Sequence, residues 1–278
     1  MSGTALVLGG GGAVGGAWMA GLLAGLAEAG LDLTGAGTVI GTSAGAVLGA
    51  RITAGVGAGE LYGGQLAGTP VVDVRVTAGQ TARFLWAALG SRDPERSVRR
   101  LGRAALASRT VPERAVLDTV GTLLEGVRAW PDRDLRLTAV DAETGRLAVF
   151  DRNSGVTLTE AVAAACAVPV VWPPVTLEGR RWMDGGSRST ANVHLAEGYG
   201  RVVALAPVPK AVGPHPHALA QGAELVARGA RALVLAPDRE ARRVLGRNML
   251  DQSRRPAAAR AGHAQAARCA AAVAEVWC

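Results

Sequence analysis

From Thr4 to Ala27 the chain carries no charged side chain, and glycines break the run, four of them consecutive at Gly9 to Gly12. A stretch that long could cross a bilayer as one helix. Consecutive glycines make a poor helix, however, and no Lys or Arg precedes the run as a secretory signal would require. A buried strand, "TALVL", a glycine loop and a buried helix, "AWMAGLLAGLAEAG" stopped at Gly30, satisfy both observations. "TVIGT" then reads as a second short strand and "AGAVLGARITAG" as a second helix. Strand, loop, helix, strand, tight turn and helix is the alternation of a parallel sheet covered by helices, so the expected fold class is α/β.

Further along, the texture changes. From about Val71 to Arg133 the sequence is helical and Arg-rich, with Arg96, Arg99, Arg100 and Arg103 spaced to share one helix face. Residues 71–133 are expected as a helical insertion in a single domain spanning 1–278. "LRLTAVDAETGRLAVF" predicts two strands around a turn at Glu143 to Gly145, and Thr157 with Glu160 predicts a capping box opening a helix. Three prolines in "VPVVWPPVTLEGRRWMDGG" predict a rigid extended path to Asp184. A strand, a helix, another strand and Ala-rich helices complete the chain.

The formal charge is +7, with Lys210 the single lysine among thirty basic residues. Such a surface favours anionic partners, phosphate headgroups or nucleic acid. Nucleic acid is set aside: there is no helix-turn-helix spacing or zinc pattern, and ten aromatics are too few for a stacking platform. Cys166, Cys269 and Cys278 are odd in number and lack metal-ligand spacing, which reads as a reduced, cytoplasmic protein.

Three short motifs carry chemistry. Gly10-Gly11-Gly12-Ala13-Val14-Gly15 is a G-x-G-x-x-G after a strand. It could aim backbone N–H groups at a dinucleotide pyrophosphate or at the oxyanion of an acyl-transfer intermediate. The dinucleotide reading needs an acid closing the second strand. Asp32 precedes that strand, which ends instead in Gly41-Thr42-Ser43-Ala44-Gly45. That G-x-S-x-G lies at a strand-to-helix junction, where a serine hydroxyl is lifted above the sheet edge. A serine needs a base. His263 could satisfy the order serine, acid, histidine, but an α/β-hydrolase places several strands before its nucleophile. His194, His215 and His217 read as surface or packing residues. Asp184, followed by Gly185 and Gly186, offers a carboxylate on a tight turn.

In this order, with the Ala-x-Pro and Pro-Pro elements of "ACAVPVVWPPVTLEGRRWMDGG", the motifs resemble the patatin-like phospholipases. The resemblance implies a three-layer α/β/α sandwich with a mostly parallel sheet and a Ser43–Asp184 dyad. It also implies an oxyanion hole from Gly10, Gly11 and Gly12, with Gly15, Gly41, Gly45, Gly185 and Gly186 as motif support. The implied activity is hydrolysis of lipid acyl esters, of phospholipase A or lysophospholipase type, through an acyl-serine and without metal or cofactor. Many members carry Arg or Lys where this chain has Val14. A serine acyltransferase or thioesterase would share the acyl-serine, and acceptor-product analysis separates them. A non-catalytic lipid-binding module would fail to label with a fluorophosphonate. Expected partners are a lipid or acyl-ester substrate and, through the Arg stripe, transient peripheral contact with an anionic membrane surface. No oligomeric state is implied.

Overall fold

The structure is a computed structural model describing residues 2–67 and 76–278. Residues 71–75, the start of the expected insertion, lie outside the described residues. The opening alternation forms as β1 (Thr4–Leu8), α1 (Gly12–Glu28), β2 (Thr38–Gly41) and α2 (Ala44–Thr53). Four helices follow, α3 (Ala58–Leu66), α4 (Ala78–Leu89), α5 (Pro94–Leu106) and α6 (Glu113–Leu123). The chain then re-enters the sheet as β3 (Asp134–Asp141) and β4 (Leu147–Phe150), and crosses α7 (Leu158–Cys166) to β5 (Val175–Leu177) and β6 (Arg180–Asp184). It ends with β7 (Arg201–Leu205), α8 (Ala218–Ala227), β8 (Arg231–Leu235), α9 (Arg239–Leu245) and α10 (Arg255–Trp277).

One sheet runs β5-β6-β3-β2-β1-β7-β8, with β4 also paired to β3. Strands β3, β2, β1, β7 and β8 are parallel, and β4, β5 and β6 add an antiparallel end. Side-chain alternation along β1 explains the layering. Leu6 and Leu8 enter a core shared with α1, α2, α7 and α10. Ala5 and Val7 face the other way, onto the 191–196 segment and α8. Toward the antiparallel end, α4 and α5 cover Val140 and Met183. The result is the three-layer α/β/α sandwich. None of the described helices is long and apolar enough to cross a membrane.

The proline-rich stretch departs from the single extended path expected of it. It folds back as the β5–β6 hairpin, because Glu178 and Gly179 both adopt left-handed φ, 50° and 75°, the twist a tight hairpin needs. The capping box forms as the spacing predicts: Glu160 N–H donates to Thr157 Oγ1 at 3.3 Å and Thr157 N–H to Glu160 Oε2 at 2.8 Å.

The glycines of α1 serve a close helix contact. α1 is buried along most of its length, and α10 lies against it through small residues. A Cβ added at Gly21 would sit 1.9 Å from the Ala259 carbonyl oxygen, and one at Gly262 would sit 2.1 Å from that of Trp18. Trp18 Nε1 donates across the seam to Gln265 Oε1 at 3.1 Å. A larger residue must push the helices apart, and overpacking of this kind costs about 1–3 kcal/mol. Gly262→Val should therefore lower the urea-unfolding midpoint by an equivalent of about 2–3 kcal/mol. Arg260→Ala, on the exposed side of the same helix, should stay within about 0.5 kcal/mol of the unmodified protein.

Candidate active site

Because β1 and β2 are parallel neighbours, with Leu8 opposite Gly41, the loops that follow them meet at one sheet edge. Thr42 N–H donates to the Leu8 carbonyl at 2.9 Å and draws the second loop over the end of β1. Ser43 then turns the chain into α2 with φ 54° and ψ −120°, a strained setting for a residue with a side chain. Backbone approach dictates its neighbours. A Cβ on Gly45 would lie 2.0 Å from the Leu8 oxygen, and one on Gly41 would lie 2.7 Å from the Ala46 Cα. Ser43 is the N-cap of α2, so the positive end of the helix dipole lies beside its hydroxyl.

Asp184 reaches the same height from the antiparallel end. β3 pairs Leu137 with Gly41 on β2 and Ala139 with Asp184 on β6. Asp184 is therefore level with the residue two beyond Leu137, as Ser43 is two beyond Gly41. The two side chains are neighbours, close enough for the Ser43 hydroxyl to favour the ionised Asp184 carboxyl, and Gly186 N–H donates to Asp184 Oδ1 at 2.7 Å. Only 4% of Asp184 is exposed. Burial pushes its carboxyl up to about 6, while the neighbouring Ser43 hydroxyl and the Gly186 N–H pull the other way. Gly185 presses on β3, where a Cβ would lie 2.3 Å from Thr138 Oγ1, and a Cβ on Gly186 would lie 2.9 Å from Asp184 Oδ1.

A buried polar network that the motifs did not reveal ties these parts together. Asn192 Nδ2 donates to Thr42 Oγ1 at 3.0 Å, to Thr138 Oγ1 at 3.3 Å and to the Ser189 carbonyl at 2.9 Å. Thr42 and Thr138 share a further hydroxyl contact of 2.9 Å. Asn192 thus couples the residue before Ser43, the intervening strand and the loop after Asp184. Its left-handed φ of 51° is one that asparagine tolerates. A single asparagine eight residues beyond Asp184 offers no spacing pattern from which to infer this.

The glycine loop sits against the serine. A Cβ on Gly10 would fall 3.2 Å from the Ser43 Cβ. Gly10 N–H donates to the Thr190 carbonyl at 2.7 Å, however, so the expectation that it supplies an oxyanion donor is narrowed: its hydrogen is committed. Gly11 and Gly12 are the N-cap and first residue of α1, where N–H groups have no intrahelical acceptor. Gly15 lies where a Cβ would come 2.8 Å from Pro207. Val14 is fully buried. Cys166 donates its thiol to the Ser43 carbonyl at 3.4 Å, and burial and the nearby Asp184 charge hold that thiol protonated.

From Ser43 a cavity of about 200 Å³ follows one face of α2 past Ala44, Val47 and Leu48 to Arg51. Eight helical residues span about 12 Å. Val116 and Val120 of α6 and Trp172 wall it, and Arg51 closes the far end in a bidentate pair with Glu125, at 2.8 and 2.7 Å. No histidine lines it among the described residues. His263 packs instead between Glu28, at 2.9 Å, and the Tyr62 ring, and His194 meets Gln221.

Since folding raises the Asp184 pKa, the folded state holds a proton there that the unfolded chain has lost. Stability from this group is greatest below the unfolded value near 3.8 and falls as pH rises to about 6. Asp184→Asn removes that dependence. Between pH 4 and pH 7 the unfolding free energy of the variant, by chemical denaturation, should gain about 2 kcal/mol on the unmodified protein.

Comparison with curated protein sequences finds no match. Among solved structures, VipD from Legionella pneumophila is similar at a TM-score of 0.48 and 13% identity, over 98% of this chain and 67% of that one. The type III effector protein ExoU gives a TM-score of 0.42 and 16% identity, over 98% of this chain and 53% of that one, so the chain spans about half the length of ExoU. The profile of the patatin-like phospholipases matches residues 6–197, well over half of the chain and inclusive of Ser43 and Asp184. The chain belongs to the patatin-like phospholipase family, whose members hydrolyse lipids.

Proposed function

We propose that this protein is a serine lipid acyl hydrolase, of phospholipase A or lysophospholipase type, working through a Ser43–Asp184 dyad. The observation that carries the reading is a strained serine set beside a buried carboxylate, where a cavity walled by apolar residues begins.

The ionised Asp184 carboxylate accepts the Ser43 proton as Oγ attacks the ester carbonyl. Gly11 and Gly12 N–H groups, with the N-terminal end of α2, take the negative oxygen. Collapse of the tetrahedral adduct breaks the ester C–O bond, and the departing alcohol carries away the proton from Asp184. A water molecule then gives its proton to the same carboxylate and attacks the acyl-serine, releasing the fatty acid and restoring the hydroxyl. A carboxyl near 6 is a stronger base than an ordinary aspartate yet is largely ionised at pH 7. Loss of one oxyanion donor costs about 3–4 kcal/mol, so the amide hydrogens carry much of the rate. The α2 cavity receives the acyl chain. At about 200 Å³ it exceeds the ~150 Å³ of an apolar cavity that accommodates benzene, which suits short and medium chains.

Ser43→Ala should abolish p-nitrophenol release from medium-chain esters while remaining folded, and a fluorophosphonate should label the unmodified protein at Ser43. Asp184→Asn should lose roughly a thousand-fold or more in kcat/KM, and His263→Ala, whose ring lies outside the cavity lining, should stay within about two-fold. For the unmodified enzyme kcat/KM should rise through pH 6 and level off, because the base must be ionised. Turnover by folded Ser43→Ala, or a profile flat from pH 5 to 7, rejects the dyad.

A further inference from the structure

α4 turns the wrong side outward for a helix of a water-soluble layer. Ala78, Ala82, Leu85, Trp86 and Leu89 recur at the spacing of a single helical face. All five are exposed, Trp86 by 69% and Leu89 by 62%. Only Ala87 and Ala88 are buried, against α5.

This face is held rigidly. Arg100 of α5 donates to the carbonyls of Ala87 and Trp86, each at 3.3 Å, and its guanidinium lies 4.4 Å from the centre of the Trp86 ring. Ser97 Oγ donates to the Ala88 carbonyl at 2.7 Å. The arginine stripe read from the sequence is thus divided. Arg100 braces the tryptophan, whereas Arg96, Arg99 and Arg103 gather around Glu143.

The surroundings are basic. Leu89 shares a surface hollow with Arg92, Lys210 and Val212, and Arg83 is exposed on α4 itself. The nearby acids are occupied. Asp93 caps α5 through Arg96 N–H at 2.7 Å, and Glu95 pairs with Arg188 at 2.7 Å. An apolar stripe with a tryptophan and a basic rim is the pattern that seats a helix at an anionic bilayer interface.

We propose that the exposed face of α4, with Arg83, Arg92, Lys210 and Val212, docks this protein onto an anionic lipid surface. Trp86 and Leu89 enter the interface, and the basic side chains meet the headgroup phosphates. The inference rests on the lipid-hydrolase reading for its purpose, though not for its geometry. It also connects with the candidate site: Gln80 Nε2 donates to the Val170 carbonyl at 3.0 Å, between Val168 and Trp172, which both line the cavity beside Ser43.

The test is flotation of the full chain with vesicles of phosphatidylcholine, with and without phosphatidylglycerol, alongside turnover of a soluble p-nitrophenyl ester. The unmodified protein should float with the anionic vesicles and not with phosphatidylcholine alone. Trp86→Glu with Leu89→Glu should weaken that binding on the order of ten-fold or more. Arg83→Gln and Arg92→Gln should each weaken it about five-fold. All three variants should turn over the soluble ester normally. Vesicle binding retained by the double variant overturns the proposal, as does absence of binding by the unmodified protein. So does a dimer in sedimentation that the double variant dissolves, since the face would then belong to a second copy. Vesicle binding without ester turnover would instead reject the hydrolase reading and leave the docking face standing.

Discussion

The approach of Gly45 to the Leu8 carbonyl is the contact on which the site depends. Parallel pairing of β1 and β2 brings their loops to one edge, but any side chain at Gly45 would collide with the end of β1. With the collision absent, α2 starts directly behind Ser43 and over the glycine loop. The serine's left-handed backbone follows from this geometry, since the chain must reverse within one residue to pass from strand to helix. The strain, of order 1–3 kcal/mol, is sustained because Thr42 on one side and α2 on the other fix both ends of the turn.

Electrostatics are set from the opposite end of the sheet. β6 runs down β3 and stops at Asp184, level with the serine, because the Gly185 backbone must pass against Thr138. Asn192 joins these approaches through hydroxyls that offer hydrogen bonds without charge. Such a surround lets the carboxylate stay buried without an ion pair holding it, which keeps its basicity high. An arginine in the place of Thr138 or Asn192 would pull the carboxyl back toward its ordinary value.

Much of the fold was legible because its signals are local. "TALVLGGGG" and "TVIGT" specify strands ending in glycine, and Thr157 with Glu160 specifies a helix start, each within a few residues. The β5–β6 hairpin was missed for the same reason in reverse. Glu178 takes a left-handed φ, which a glutamate does not announce, and three prolines nearby argued for straight chain. Gly10 shows a subtler limit. Its place in the motif was plain, but whether its N–H is free depends on Thr190, which lies far along the chain and reaches the loop once β7 pairs with β1 and Asn192 ties the same segment to Thr42.

The site divides in the same way. Ser43 and Asp184 stood out because close backbone approach forces glycines beside them, and forced glycines leave a readable spacing. The cavity left no such trace, since Val47, Val116 and Trp172 are ordinary apolar residues that become a wall only when α2, α6 and the loop after α7 converge. α4 is the instructive intermediate. Its period of apolar residues was present in the sequence, and periodicity alone assigns such a face to a core. What removes it from the core is that α5 already fills the sheet surface with Val98 and Leu101, leaving α4 to bury Ala87 and Ala88 and part of Phe84. The stripe faces outward because the layer beneath it is complete, and a sequence pattern carries no record of which layer closes first.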